Sequence, residues 1–211
     1  MGQSLLPLFP LQTVLLPGAP LTLHIFEDRY KEMIGEVLRA KTEFGVVLAS
    51  EKGIVNMGCT ASIDQVLKMY PDGRLDILAI GRRRFEILTI DDDKSYLQGS
   101  VEFFDDDEFE PAAPDAQRKA LDGYTELKGL DDSDELAEPR LNDPQLSFQL
   151  GRALPDLDQR QMLLATRSEA ARMKQLADFF PEYAARRRQM RQVKEVARKN
   201  GHARWPSSLG T

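Results

Sequence analysis

The hydrophobic period changes once along this chain of 211 residues, near Pro111, and that change limits the folds open to it. Before Pro111 apolar residues alternate with polar ones, the period of strands that bury one face. After it they recur every three or four residues, as on helices packed by one stripe. This segregated order predicts an α+β fold, with a β-rich part over 1–110 and a helical part over 111–211.

Leu5-Leu6-Pro7-Leu8-Phe9-Pro10-Leu11 carries too much proline for a central strand and reads as an edge strand running into a turn at Pro17-Gly18. In Leu21-Thr22-Leu23-His24-Ile25 the leucines and isoleucine share one face, with Thr22 and His24 on the other. A helix is predicted from about Glu27 to Ala40, its stripe formed by Phe26, Tyr30, Met33, Ile34, Val37 and Leu38. Strands follow at Phe44–Ala49 and Cys59–Met69, a turn at Tyr70-Pro71-Asp72-Gly73, then strands at Leu75–Ile80 and Phe85–Leu88 around a bulge or bend at Gly81. One more strand spans Tyr96–Phe104 between two acidic runs. Beyond Pro114, helical stripes pass through Ala120, Leu121, Tyr124 and Leu127. Asp143-Pro144 reads as a helix start, and Ser168-Glu169 opens a helix that Pro181 should kink or restart.

Charge is distributed unevenly. Residues 1–110 balance at −8, residues 111–150 at −5 and residues 151–211 at +7. Such polarity points to a partner or a self-contact more than to a catalytic centre. One cysteine rules out an internal disulfide framework, and with two histidines it leaves too few ligands for a self-contained zinc site. No stretch approaches the roughly 20 apolar residues that span a bilayer. The first basic residue is Arg29, and Leu6 stands where a myristoylation motif needs Ser or Thr, so neither a signal peptide nor that lipid anchor is expected. A soluble, reduced, cytoplasmic protein without membrane contact is the expectation.

Leu6-Pro7-Leu8-Phe9-Pro10-Leu11, Leu16-Pro17-Gly18 and His24-Ile25-Phe26-Glu27-x-Arg29-Tyr30 resemble the opening of the Lon protease N-terminal domain family. The order continues with Pro71-Asp72-Gly73-Arg74, Gly81-Arg82-Arg83-Arg84-Phe85, Asp143-Pro144 and Leu154-Pro155 through Gln161-x-Leu163-Leu164, covering most of residues 5–180. Asp28 stands where that family usually has proline, and Arg172-Met173 where it has Arg-Leu. The resemblance implies a β pseudo-barrel similar to the PUA fold followed by a helical part, and a role in recognising unfolded or tagged protein, without chemistry of its own. Cereblon-type proteins are similar in carrying such a domain as a binding module.

No Gly-x-x-x-x-Gly-Lys-Ser/Thr phosphate loop occurs, and 211 residues leave no room for ATPase and Ser-Lys peptidase modules. The expectation is therefore a stand-alone, non-enzymatic module that binds peptide or protein segments, with a protease or chaperone as the implied partner class and no cofactor or metal. The candidate peptide contacts are Phe9, His24, Phe26, Arg29, Tyr30 and Arg84. His24 is the one acid–base candidate, yet no Ser or Cys nucleophile is spaced beside it, which favours a hydrogen-bonded structural role. Glu27 and Arg29 favour a helix cap and a local ion pair, and Cys59 a buried thiol. Of Arg82-Arg83-Arg84, the middle residue should point away from the other two, and some should pair with the acidic turns. Asp91-x-Asp93-x-Ser95 with Glu102 mimics a calcium loop, but Tyr96 occupies the place that needs glycine.

Arg186, Arg187, Arg188, Arg191, Lys194 and Arg198 form a basic helix with a thin stripe of Met190, Val193 and Ala197. Docking of that helix on the acidic β half is the favoured reading. Contact of this helix with another protein and RNA binding through it and a PUA-like barrel are the alternatives, RNA less favoured because the protein is acidic overall and lacks an aromatic-flanked RNA-reading strand. The oligomeric state is left open.

Overall fold

The computed structural model describes residues 5–51, 53–107, 110–130 and 136–201, with side chains as far as Val196. In chain order the elements are β1 (Leu6–Leu11), β2 (Pro20–Ile25), α1 (Asp28–Ala40), β3 (Phe44–Ser50), β4 (Gly53–Met69), β5 (Leu75–Asp91) and β6 (Gln98–Phe104), then α2 (Pro114–Leu130), α3 (Leu146–Gly151), α4 (Leu157–Ala165) and α5 (Glu169–Gly201).

The long strand β5 organises the sheet. Its first half lies between β2 and β4, and its second half between β4 and β6. From β6 the pairing passes to β1, then in parallel to β3, and back to β4, so five strands close into a ring with β2 outside it. This is the expected pseudo-barrel. Leu8, Val47 and Phe85 fill its interior. A Cβ on Gly58 would lie 2.4 Å from the Val46 carbonyl oxygen and 2.6 Å from the Phe85 ring, so the barrel is closed down onto a bare backbone there.

Closure corrects the reading of β1, which is an inner strand between β3 and β6. Its prolines are tolerated because the β6 ladder spans only Leu6 and Pro7 in register, with Leu8 N–H supplying a bond to the Leu97 carbonyl at 2.8 Å. Register shifts between Cys59 and Ala61, opposite Arg84 and Gly81, place a bulge after Gly81, as expected. That bulge breaks the simple alternation of the arginine triplet: Arg82 and Arg83 are both exposed, and Arg84 alone is buried.

The main core joins the barrel to the helices. Phe9, Tyr30, Met33, Ile34 and Phe44 merge with Tyr124, Phe148, Leu163 and Phe180 in one cluster. Phe26 departs from its predicted stripe: it lies ahead of α1 and is 60% exposed. The Asp143-Pro144 start moves as well. Asp143 accepts from the Gln145 N–H at 2.8 Å and from Gln149 Nε2 at 2.6 Å, a local turn that delays α3 to Leu146. Helix α5 runs through Pro181 without restarting, held by its packing on α2 and α3. Among the described residues the ion pairs of its basic segment go to α2 and to α5 itself and not to the β half, the favoured expectation for it. Arg188 pairs with Glu126 of α2 at 2.9 Å, while Arg186 pairs with Glu182 and Arg191 with Glu195 on α5 itself.

A buried ion cluster fastens the two halves. Asp106, just after β6, receives Arg84 Nη2 at 2.6 Å and both Arg172 Nη groups at 2.6 and 2.7 Å. Arg172 also donates to Glu169 and to Ser147 Oγ, and Arg84 to the carbonyls of Leu164 and Thr166. Burial pushes the Asp106 carboxyl up, but the bonds and charges of Arg172 and then Arg84 outweigh it and hold it below the usual range.

Candidate binding surface

Where β4 leaves β3 at Ala61, the sheet continues as a three-stranded extension of β2, β5 and β4. Its tip is the predicted turn. Gly73 has φ +84°, a backbone only glycine adopts freely, and its N–H donates to the Tyr70 carbonyl at 3.0 Å. Asp72 accepts from the Arg74 backbone N–H at 3.2 Å and from Arg74 Nε at 2.7 Å.

Cross-strand register sets His24 beside Asp76 and Asp76 beside Lys68 on one face of this extension. His24 Nδ1 lies 2.5 Å from Asp76 Oδ1, and Tyr70 Oη donates to Asp76 Oδ2 at 2.9 Å. The His24 contact, followed by the Tyr70 bond, lowers the Asp76 pKa. The His24 ring stacks with Phe26 at 6.0 Å and meets the Tyr70 ring edge-on at 5.8 Å. Lys68 and Arg74 sit 4.4 and 4.8 Å from the Tyr70 ring centre. Leu67 and Met69 complete this end of the extension, 49% and 73% exposed. The arrangement offers apolar and aromatic surface with hydrogen-bonding groups among it. No nucleophile accompanies His24, and the described residues hold no cluster of His, Cys, Asp and Glu fit for a metal ion.

The six candidate peptide contacts therefore separate. Phe9 and Tyr30 stack on each other at 4.1 Å inside the core, and Arg84 belongs to the ion cluster, so none of these three is open to a ligand. His24, Phe26 and Arg29 are exposed, with His24 and Phe26 in contact and Arg29 paired with Glu27 at 2.8 Å. Glu27 makes no side-chain cap on α1. Sequence reasoning missed Leu67, Met69 and Asp76. Asp64 and Leu67 are extra residues on β4 where its register with β5 shifts, which hides Leu67 from a period-two reading. Among the basic candidates, Arg186, Arg188, Arg191 and Lys194 are exposed, Arg187 is half-buried, and the Arg198 side chain lies outside the described residues. Cys59 is buried, its thiol pushed up to about 12 by burial. Tyr96 is buried and donates to Glu36 at 2.6 Å, so the acidic run beside it has no calcium-loop geometry.

Residues 5–180 match the protein family described as the ATP-dependent protease La (LON) substrate-binding domain. The chain belongs to that family. A Lon N-terminal domain protein from Xanthomonas campestris superposes with a TM-score of 0.68 at 28% identity, over 85% of this chain and all of that one. The N-terminal domain of the Mycobacterium avium complex Lon protease gives 0.62 over 84% of this chain and 98% of that one; at 19% identity it supports the fold alone. Lon protease of Parabacteroides distasonis is 30% identical over 125 residues, and that of Flavobacterium johnsoniae 31% over 105. These matches take in 55% and 46% of this chain but only 15% and 13% of those proteases.

Proposed function

We propose that this chain is a binding module for unfolded or extended polypeptide, acting beside a protease and catalysing nothing itself. The observation that carries the reading is the exposed apolar side chains at the free end of the β2–β5–β4 extension: Phe26, stacked on His24, and Leu67 and Met69 at the end of β4. Large apolar groups left in water at one end of a folded sheet mark an interaction site, and family membership gives the partner its class. RNA binding through α5 has less support, because Arg186, Arg188 and Arg191 already face carboxylates.

The test is fluorescence anisotropy of a labelled, reduced and carboxymethylated protein, run beside a labelled RNA at two salt concentrations. Phe26→Ser with Met69→Ser should weaken binding of the unfolded protein at least tenfold. Replacing Arg186, Arg187, Arg188 and Arg191 by Ala should leave that binding within twofold. Salt-sensitive RNA binding that the four-Ala variant loses, with no binding of unfolded protein, would refute the proposal. The purified protein should neither hydrolyse ATP nor cleave casein.

A further inference from the structure

Among the described residues the outer edge of β2 is open. This strand pairs with β5 alone and ends the strand order, and no other backbone or side-chain bond reaches Leu21–Ile25 from its free side among the described residues. Open edges are usually blunted by bulges, lysines or prolines. The free stretch of β4 is blunted in that way, with register shifts at Asp64 and Leu67 and a lysine at Lys68. Strand β2 runs its six residues in unbroken register, carries no lysine, and has proline only at its first position.

A cavity of about 180 Å³ lies at the N-terminal end of that edge, where the two halves meet. Val14, Leu15 and Leu16 line it beside Pro20 and Leu21, and the helical half contributes Leu136, Arg152 and Arg160. Its volume suits one side chain with a small polar group rather than a drug-sized molecule. Arg160 donates Nε to the Leu154 carbonyl at 2.5 Å and Nη2 to the Arg152 carbonyl at 3.1 Å. Among the described residues no carboxylate pairs with it. A guanidinium has five N–H donors, so about three are left for a ligand. Burial weighs most against the Arg160 cation, the like charge of Arg152 adds to it, and Tyr183 acts the other way.

We infer that β2 takes an extended polypeptide as an added antiparallel strand whose carboxylate enters this cavity and binds Arg160. Antiparallel pairing fixes the polarity: the C-terminal end of the ligand runs toward Pro20, where the cavity opens, and its N-terminal end toward His24 and Phe26. The six residues of β2 span about 20 Å of edge between the cavity-lining Pro20 and the aromatic cluster at His24 and Phe26. Backbone bonds along the edge would be indifferent to sequence, as a reader of unfolded chains requires, while the carboxylate sets the register. The carboxylate has two sources, a chain terminus or an Asp or Glu side chain. The inference rests on the binding reading above and adds to it the edge, the polarity and the anion.

The probe is a fluorescein-labelled eight-residue peptide of alternating Thr and Val ending in Leu with a free carboxylate. It is compared with its C-terminal amide, with an amide carrying Glu at the last position, and with a form N-methylated at alternate residues. On the unmodified protein the amide should bind at least tenfold more weakly, the scale of a lost charge-assisted bond, and alternate N-methylation should abolish binding. Recovery in the Glu amide assigns a side-chain carboxylate, and no recovery assigns the chain terminus; both support the site. Arg160→Gln should bind acid and amide alike, with Arg160→Lys between the two proteins. Equal binding of acid and amide by the unmodified protein would overturn the inference. If Phe26→Ser still weakened all peptides in that case, the general reading would stand alone. No binding of any peptide or unfolded protein would sink both.

Discussion

Replacing Asp106 by Asn isolates what the ion cluster contributes. Arg84 and Arg172 are 2% and 0% exposed, and their shared counter-ion is a carboxylate only 11% exposed. Asn keeps the shape and one acceptor but removes the negative charge, which leaves two buried guanidiniums beside each other; Glu169 pairs with Arg172 and accepts from Ser147, and only the unbonded charge of Asp105 still favours Arg84. Breaking a buried pair by removing one partner costs about 3–5 kcal/mol. For a chain of this size that lowers Tm by about 10 °C. Urea unfolding followed by circular dichroism measures the change directly. Arg84→Met in the Asp106→Asn background removes one stranded cation, so the double variant should be more stable than the sum of the two single losses.

The pH dependence has a definite sign. The folded-state pKa of Asp106 lies below the unfolded value of about 3.9. Its stabilisation is therefore fully present above that value and is lost as pH falls through the folded pKa. The gap in stability between the unmodified protein and Asp106→Asn should be constant from pH 5 to 7 and shrink in acid below about pH 4. A loss under about 1 kcal/mol at pH 7, or a gap that widens in acid, would refute the account of the cluster.

Gly58→Ala should destabilise by about 1–3 kcal/mol, the usual cost of overpacking, because its Cβ meets the Val46 carbonyl and the Phe85 ring; the same urea titration reads it. Cys59 should not react with a thiol reagent at pH 8 until the protein is unfolded, since the sulfur is buried and its pKa is pushed up to about 12. Phe26→Ser should leave Tm within about 2 °C, because a ring already 60% exposed removes little area from water.

Sequence patterning identified the β class, the turn at residues 70–73 and the outward face of Thr22 and His24, because each depends on local periods or backbone chemistry. Features that depend on closure were not legible in this way. Pro7 and Pro10 argue for an edge, and nothing local says that the β6 ladder meets β1 over only two residues. Pairing of some of the three arginines with the acidic turns is expected from the sequence, and Arg84 meets Asp106, 22 residues away; that a bulge buries this one arginine is not legible locally. Tyr30 belongs to the conspicuous Phe26–Tyr30 segment, yet it packs on Phe9, while Phe26, in phase with the helical stripe, is exposed. The prolines of β1 point to an open edge there, whereas the strand order ends at β2.

The ion cluster and the cavity meet in one element. Helix α4 carries Arg160 into the cavity, and its far end is held by Arg84, which donates to the carbonyls of Leu164 and Thr166. Gln161 adds a second hold, donating Nε2 to the Met57 carbonyl of β4 at 3.0 Å. Bonds from the barrel to both the middle and the end of α4 thus set where Arg160 stands relative to β2. A helix of nine residues has little packing area with which to fix its own position. A carboxylate site formed between one strand of the barrel and one residue of α4 needs that position fixed before the ligand arrives, or ordering α4 would subtract from affinity. For the proposed site, the costly burial of two guanidiniums serves more than stability: it keeps the third, Arg160, in place beside the start of β2.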